Sequence, residues 1–343
     1  MATMKEIAAM AGVSRGTVDR VLNKRGSVNP KTEKAILEIA ETLNYTPNVA
    51  GKNLAVRKKK LKIGFILFGT VDSNSFFVDV IDGINSRAAE LSDLGVTVEI
   101  RQDSYYDPEQ QVKNIEELVE LGINGLAIAP LNAGIVAEKL KELTQSGIPV
   151  VTANSDIPDC GRMAYVGSNY YRSGETAAGL MNLITNGNAS IGIVSGAKNV
   201  LCHSERIAGF TDYSKKNFPN LKIVDTVMNN DSDEESFSVT KKMLLDNPGI
   251  NAMYLTAAGV CGACRAVKEM GLADKLSIVS FDATATTSEL IKDGIISVTI
   301  AQQPKKQGEI PLDILFNYLC MGTLPEKEQN YTDIEIIIKE SLL

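Results

Sequence analysis

Apolar positions near the N-terminus recur at helical spacing and predict two short helices separated by a tight turn at Gly12. Thr3 and Glu6 have the spacing of a capping box at the start of the first helix, and Ser14 is placed to cap the second. The apolar residues of the second helix face inward, so the residues that point outward from its first two turns are Arg15, Gly16, Asp19 and Arg20. This pattern is typical of a helix-turn-helix that reads the major groove, and also of an ordinary αα-hairpin.

The same spacing predicts a third helix that begins at Pro30 and stops at Asn44. Residues 1–46 then form a small all-α head with three helices. A unit of this size has little core, so we expect it to be marginally stable alone.

The segments around and after the head are basic. Lys24 and Arg25 lie in the turn before the third helix, where they are placed to contact backbone phosphates. Residues 47–56 favour only a weak further helix because they lack a broad apolar face. The basic run at residues 57–60 is either a solvated linker or another phosphate contact, and its place between head and body favours the contact.

From Leu61 onward the pattern changes to short apolar runs that alternate with amphipathic stretches of helical length. Such runs are typical of parallel strands that helices cover on both faces. Ten runs are many for one open sheet, so we expect an α/β body of two lobes with two doubly wound, mainly parallel sheets. The predicted strands are Lys62–Phe68, Thr97–Gln102, Gly125–Ala129, Pro149–Ala153, Ala164–Gly167, Ser190–Ser195, Lys222–Val227, Ala252–Thr256, Ser277–Phe281 and Ile296–Ala301.

Composition narrows the functional classes. No run of about 18 apolar residues and no apolar leader is present, so we expect a cytoplasmic protein with no membrane partner. Five cysteines in a chain of 343 residues do not suggest a disulfide framework. Cys261 and Cys264 form a single Cys-x-x-Cys pair, and His203 is the only histidine. The sequence therefore predicts no metal site, no cofactor and no catalytic residue.

Charge is distributed unevenly between head and body. Residues 1–60 carry 12 Lys or Arg and 5 Asp or Glu, a net charge of +7. Because the whole chain carries −7, residues 61–343 carry −14. A basic head on an acidic body is expected when only the head meets nucleic acid phosphates.

Aromatic and polar residues follow several of the predicted strands. The carboxyl ends of parallel strands meet at the ligand cleft of such folds, so these residues form a candidate binding site. Aromatic faces with amide, carboxylate and guanidinium groups suit a neutral, polyhydroxylated ligand. Plainer roles remain open: core packing for the phenylalanines, caps for the amide and carboxylate, and a surface ion pair for the arginine. The residues are Asn74, Phe76, Phe77, Asn154, His203, Arg206, Asp282 and Gln302.

The head resembles the LacI/GalR family of bacterial transcription regulators. The segments that carry the resemblance are Met4–Ser14, Thr17–Asn23 and Leu43–Asn48. It implies that residues 47–56 are a hinge helix that orders on operator DNA, with Leu54 as the wedge in the minor groove. It also implies a set of residues that contact DNA, with the major-groove readers among them. The set is Thr3, Ser14, Arg15, Gly16, Thr17, Arg20, Asn23, Lys24, Arg25 and Leu54.

The body resembles the type I periplasmic binding-protein fold, and within it the ribose-type sugar-binding proteins. The matching segments are Asn74–Phe77, Glu205–Phe210, Ser280–Asp282 and Ile300–Gln302. The resemblance implies that these strand-end residues contact a sugar and that the chain crosses between the lobes near Ser168, Gln302 and Asn330. Asn154 and Thr256 stand at site positions where the family carries other polar residues, which leaves the identity of the sugar open.

The expected function is that of a homodimeric repressor, which binds operator DNA and a small sugar-like effector. We expect a DNA-binding head over residues 1–46, a hinge and linker over 47–60 and an effector-binding body over 61–343. The first lobe is expected to comprise about residues 61–168 and 303–330, and the second about 169–302 and 331–343. One alternative is a sugar-binding protein of a transport system. The other is an enzyme, but the sequence has no Gly-rich phosphate loop and no nucleophile elbow to support it.

Overall fold

The computed structural model describes residues 2–22, 27–43, 45, 57, 59–68, 75–103 and 106–342. Three helices form the head, and their apolar stripes meet in one small cluster around Ile7, Val18 and Ile36, which are fully buried. The first helix has the expected capping box between Thr3 and Glu6, and it ends at Gly12 in the left-handed conformation. The head helices are α1 (Met4–Ala11), α2 (Arg15–Leu22) and α3 (Pro30–Thr42).

Strands and helices alternate through the body, as predicted. The strands are β1 (Lys62–Phe68), β2 (Thr97–Asp103), β3 (Gly125–Ile128), β4 (Val150–Ala153), β5 (Ala164–Gly167), β6 (Ala189–Ser195), β7 (Leu221–Met228), β8 (Ala252–Leu255), β9 (Ser277–Phe281), β10 (Val298–Ala301), β11 (Gln329–Tyr331) and β12 (Glu335–Ile337). The helices are α4 (Phe76–Ser92), α5 (Pro108–Glu120), α6 (Gly134–Gln145), α7 (Tyr170–Ile184), α8 (Leu201–Asn217), α9 (Asp233–Asp246), α10 (Val260–Glu269), α11 (Ala285–Lys292) and α12 (Pro304–Met321), with a 3₁₀ turn at Lys339–Leu342.

The strands form two six-stranded sheets, which confirms the expected fold class. The part of the body built on the sheet β11-β5-β4-β3-β1-β2 is called the first lobe. The part built on the sheet β12-β10-β9-β8-β6-β7 is called the second lobe. Within the described residues, all strand pairings are parallel except that of β10 with β12. The central strands are buried on both faces, which explains their continuous apolar sequences.

The chain passes between the two sheets three times, and we call these segments the crossovers. The first crossover joins β5, in the first sheet, to α7, which leads into the second sheet. The second joins β10, in the second sheet, to α12, which packs on the first sheet. The third joins β11, in the first sheet, to β12, in the second. The crossovers are residues 168–169, 302–303 and 332–334. Tyr331 still pairs with Gly167 in the first sheet.

Candidate functional site

Arg206 projects from α8 of the second lobe and is almost completely buried, with 3% of its surface exposed. Its guanidinium carbon lies 3.8 Å from the ring centroid of Phe281 and 4.8 Å from that of Tyr170. Its Nη1 donates a hydrogen bond of 2.6 Å to the carbonyl oxygen of Thr256. The guanidinium is therefore fixed by two rings and one carbonyl group, while its buried Nε has no partner among the described residues.

Asp282 and Gln302 lie together at the ends of neighbouring strands β9 and β10. Gln302 Nε2 donates a hydrogen bond of 2.7 Å to Asp282 Oδ1. Burial raises the pKa of Asp282, and the nearby Arg206 guanidinium opposes that rise. The pair offers both a carboxylate acceptor and an amide group, the combination that hydroxyl groups need from a binding site.

A small cavity opens beside this pair. Its volume is about 190 Å³, and Phe76, Asp282 and Gln302 are among its lining residues. Two further carboxylates, those of Asp79 and Glu335, also line it. The cavity thus joins the start of α4 in the first lobe to strand ends of the second, and its lining is rich in hydrogen-bond acceptors.

The phenylalanines at the start of α4 also belong to the core. Phe77 is 1% exposed, and its ring meets that of Phe68 edge to face at 5.4 Å between centroids. Phe76 meets Phe77 in the same manner at 5.5 Å. Of the two, the structure places Phe76 against the cavity and Phe77 inside the first-lobe core.

The side chains of Asn154 and Thr256 form hydrogen bonds with neighbouring residues of the chain. The Asn154 amide donates to the Tyr170 hydroxyl at 3.3 Å and to Gln307 Oε1 at 3.1 Å. The Thr256 hydroxyl donates to Ser195 Oγ at 2.9 Å, so its carbonyl group, rather than its side chain, is what holds Arg206. Their effector contacts stay predictions.

His203 sits beside a buried carboxylate. Its Nδ1 lies 3.2 Å from the carbonyl oxygen of Ala197, and its Nε2 lies 3.8 Å from Asp231 Oδ1. Burial by itself would lower the pKa of His203, but the Asp231 carboxylate raises it to about 9. Asp231 also accepts the backbone N–H groups of Ala197 and Ala258 at 3.0 and 3.1 Å. The pair therefore fastens the loops that follow β6, β7 and β8.

The two lobes touch across the cleft through the loop after β6. The Asn132 N–H of the first lobe donates to the Asn199 carbonyl oxygen at 2.7 Å. Asn199 Nδ2 donates to the Tyr106 carbonyl oxygen at 3.0 Å. Residues of both lobes share one apolar cluster here, in which Val200 and Cys202 pack with first-lobe residues.

Several residues of the site were not among the sequence-based candidates. Phe281 could have been identified from its position directly before Asp282 at a strand end. Asp231 could have been identified from its position shortly after β7. Tyr170 follows the first crossover and carries no comparable signal. Gln307 lies inside a helix, and nothing in its local sequence indicates its contact with Asn154.

The head presents the expected outward residues on α2. Arg15 and Gly16 are exposed, and the Arg20 guanidinium bends back so that its Nε donates to the Gly16 carbonyl oxygen at 3.3 Å. Ser14 accepts the Thr17 N–H at 3.1 Å and shares a hydroxyl contact of 3.0 Å with Thr17. Thr3 caps α1. The other DNA-binding candidates lie outside the described residues: Asn23, Lys24, Arg25 and Leu54. The effector-binding candidate Asn74 also lies outside them.

No group of three or more His, Cys, Asp or Glu side chains in the described ranges is arranged to hold a metal ion. Within those ranges, no helix is both long and apolar enough to cross a membrane.

Comparison with solved structures relates the body to binding proteins. A structure titled "XylFII molecule" is 31% identical with a TM-score of 0.73, over 81% of this chain and 99% of that chain. A solute-binding protein from Burkholderia graminis, solved with D-arabinose, is 26% identical with a TM-score of 0.77, over 82% of this chain and 96% of that chain.

Comparison of sequences relates the whole chain to regulators. The probable transcriptional repressor ExuR of Bacillus subtilis is 28% identical over 82% of either chain, and catabolite control protein A of Priestia megaterium is 24% identical over 94% of either chain. Residues 3–48 match the family described as bacterial regulatory proteins, lacI family, and residues 63–323 match the periplasmic binding protein domain. The chain therefore belongs to the LacI family of DNA-binding transcriptional regulators, with a periplasmic-binding-protein domain as its body.

Proposed function

We propose that this regulator is a cytoplasmic, homodimeric repressor whose operator affinity is set by a neutral, sugar-sized effector bound between its two lobes. The observation that carries the proposal is the buried Arg206 guanidinium, which contacts two rings and interacts electrostatically with Asp282, the residue that pairs with Gln302. Rings cover the C–H faces of a sugar, while the charged and amide groups bind its hydroxyls.

The charge of the cleft favours a neutral effector over an anionic one. Arg206 faces Asp282, and His203 faces Asp231, so each buried cation already has a carboxylate nearby. The cavity adds Asp79 and Glu335. A sugar acid would bring its carboxylate into a region where acceptors outnumber free cations, and desolvation would make that contact costly.

In this proposal the division of the chain is the one that the sequence suggests: a reading head over residues 1–46, a hinge and linker over 47–60, and an effector body over 61–343. We propose that the residues that contact the effector, the effector set, are Asn74, Phe76, Phe77, Asn154, His203, Arg206, Thr256, Asp282 and Gln302. The chain performs no catalysis. The runner-up, a transport protein that binds sugar without regulating DNA, leaves the lacI-family head without a role.

The proposal is tested with the full-length chain. An operator is selected from a library of palindromic half-sites, and gel shifts are then run with D-arabinose, D-xylose, D-ribose, D-glucose and D-galactose, with D-glucuronate as the anionic comparison. We expect one neutral sugar to change operator affinity by roughly 5-fold or more, the lower end of allosteric coupling. Selection of no operator, or a response to D-glucuronate alone, would contradict the proposal.

A further inference from the structure

The side chain of Thr332 connects the three crossovers through hydrogen bonds. The Thr332 hydroxyl donates to the carbonyl oxygen of Gln302 at 3.1 Å and lies 3.3 Å from the Ser168 hydroxyl. These three residues belong to three different crossovers. One threonine thus joins all three segments that must change conformation when the lobes move.

A second path closes the connection through the first lobe. Gln307 Nε2 donates to the Gln302 carbonyl oxygen at 2.9 Å, and Gln307 Oε1 accepts from Asn154 Nδ2 at 3.1 Å. The Tyr165 hydroxyl lies 3.0 Å from both the Asn154 and the Ser168 carbonyl oxygens, and its single proton is shared between these two acceptors. We call this closed circuit the hinge ring; its members are Asn154, Tyr165, Ser168, Gln302, Gln307 and Thr332.

Every member of the hinge ring is withdrawn from water. Gln307 is 0% exposed, and Thr332, the most exposed member, is 7% exposed. A buried polar group that loses its partner cannot exchange it for water at no cost. The ring therefore resists gradual rotation of a single crossover, and it favours movement of all three together.

Two members of the ring belong to the proposed effector set. Gln302 reaches from the second crossover to Asp282, and Asn154 reaches across to Tyr170, whose ring packs on Arg206. A displacement of either residue by an effector is transmitted to the ring by direct hydrogen bonds. Of the ring members, Gln302 lines the cavity, whereas Asn154, Tyr165 and Gln307 do not.

We propose that the hinge ring couples effector binding to movement of the lobes, with Tyr165 and Gln307 as positioning residues that do not touch the effector. This inference rests on the proposed function for its effector, but its mechanical part concerns the crossovers alone. It assigns a role in regulation to two residues on the basis of the closed hydrogen-bonded circuit.

The main variant is Tyr165→Phe, which removes one hydroxyl and keeps the ring. Its matched control is Tyr254→Phe, because the Tyr254 hydroxyl is buried in the second lobe and has no hydrogen-bond partner among the described residues. Gln307→Leu is the second variant, and it interrupts the circuit at another point.

The first measurement is amide hydrogen exchange of the full-length protein without any sugar. We expect Tyr165→Phe and Gln307→Leu each to speed exchange around all three crossovers. These include the crossover at residues 332–334, to which the hydrogen bonds of the two side chains do not extend directly. Tyr254→Phe should leave them unchanged. Faster exchange only next to the substituted residue, or an equal effect in the control, would overturn the proposal.

The second measurement is the ratio of operator dissociation constants with and without D-arabinose, or with whichever sugar of the panel above acts most strongly on the wild type. In both ring variants the fold-change in operator affinity that the sugar causes should be smaller by about threefold or more, from a typical coupling of roughly 5- to 150-fold. An unchanged ratio with loosened crossovers means that the ring is only structural, and the proposal then fails. If no sugar acts on the wild type, the proposed function fails, while the exchange experiment still decides on the ring.

Discussion

The guanidinium carbon of Arg206 lies over the ring of Phe281, at 3.8 Å from the ring centroid. The planar group is held in this position by stacking and by its bond to the Thr256 carbonyl oxygen. We predict that Arg206→Lys, which keeps the charge and loses the plane, weakens effector binding by about 10-fold or more, since hydrogen bonds of charged groups contribute about 1.5–3 kcal/mol.

Titration calorimetry with the active sugar measures this loss, and gel shifts without sugar should show wild-type operator affinity. Arg172→Lys, on the exposed face of α7, serves as the control and should bind the sugar normally. A wild-type response in Arg206→Lys would remove this residue from the effector site.

His203 makes stability depend on pH in a defined window. Its pKa of about 9 in the folded chain lies above the roughly 6.5 of an unfolded chain, so its charged form stabilises the fold fully below about pH 6.5. That contribution, on the order of 3 kcal/mol, is lost as the pH rises through 9. Denaturant titrations from pH 6 to 10 should show the decline in the wild type and a flatter curve in His203→Gln. Parallel curves for the two proteins would disprove the assignment.

Two glycines of α7 give a matched pair. A Cβ at Gly174 would lie 2.2 Å from the Arg206 carbonyl oxygen, whereas one at Gly179 would meet nothing within 4 Å. Gly174→Ala should therefore lower the free energy of unfolding by about 1–3 kcal/mol and weaken effector binding, because α8 must shift. Gly179→Ala should raise it by up to about 1 kcal/mol, since alanine favours helices. Urea unfolding of both variants checks this, and equal effects would contradict it.

Arg15 is exposed at the start of α2, and we propose that it reads a base. Arg15→Ala should cost about 1–3 kcal/mol of affinity for the selected operator and relax the preference at one base pair. Lys216→Ala, which removes the same charge from the body, should change nothing. Fluorescence anisotropy at fixed salt, on the operator and on single-base variants, gives both quantities. Equal loss on operator and random DNA would mean that Arg15 contacts only phosphate.

The main strands could be predicted because burial on both faces leaves a continuous apolar run in the sequence. β11 and β12 were missed: each has three residues, includes polar positions and lies at a sheet edge, so no local period marks it. They form because the chain crosses between the lobes beside existing strands, which is information from the tertiary structure.

The candidate site shows the same division. Arg206, Asp282 and Gln302 were expected from their places at strand ends, and the structure brings them together. The engagement of Asn154 depends on Gln307, a residue 153 positions away in the chain. Such a contact leaves no periodic pattern in the sequence. The position of Asn154 after a predicted strand indicated that it lies at the cleft, but it did not indicate its partner.

The fixed position of Arg206 also bears on the entropy of binding. A long side chain that must be ordered by its ligand costs about 0.5–1.5 kcal/mol of binding free energy. Here Phe281, Tyr170 and Thr256 impose that order from within the chain, so folding has already met the cost. In the proposed effector site, a small effector that makes few contacts would therefore bind more tightly than it would to an arginine that it had to order itself.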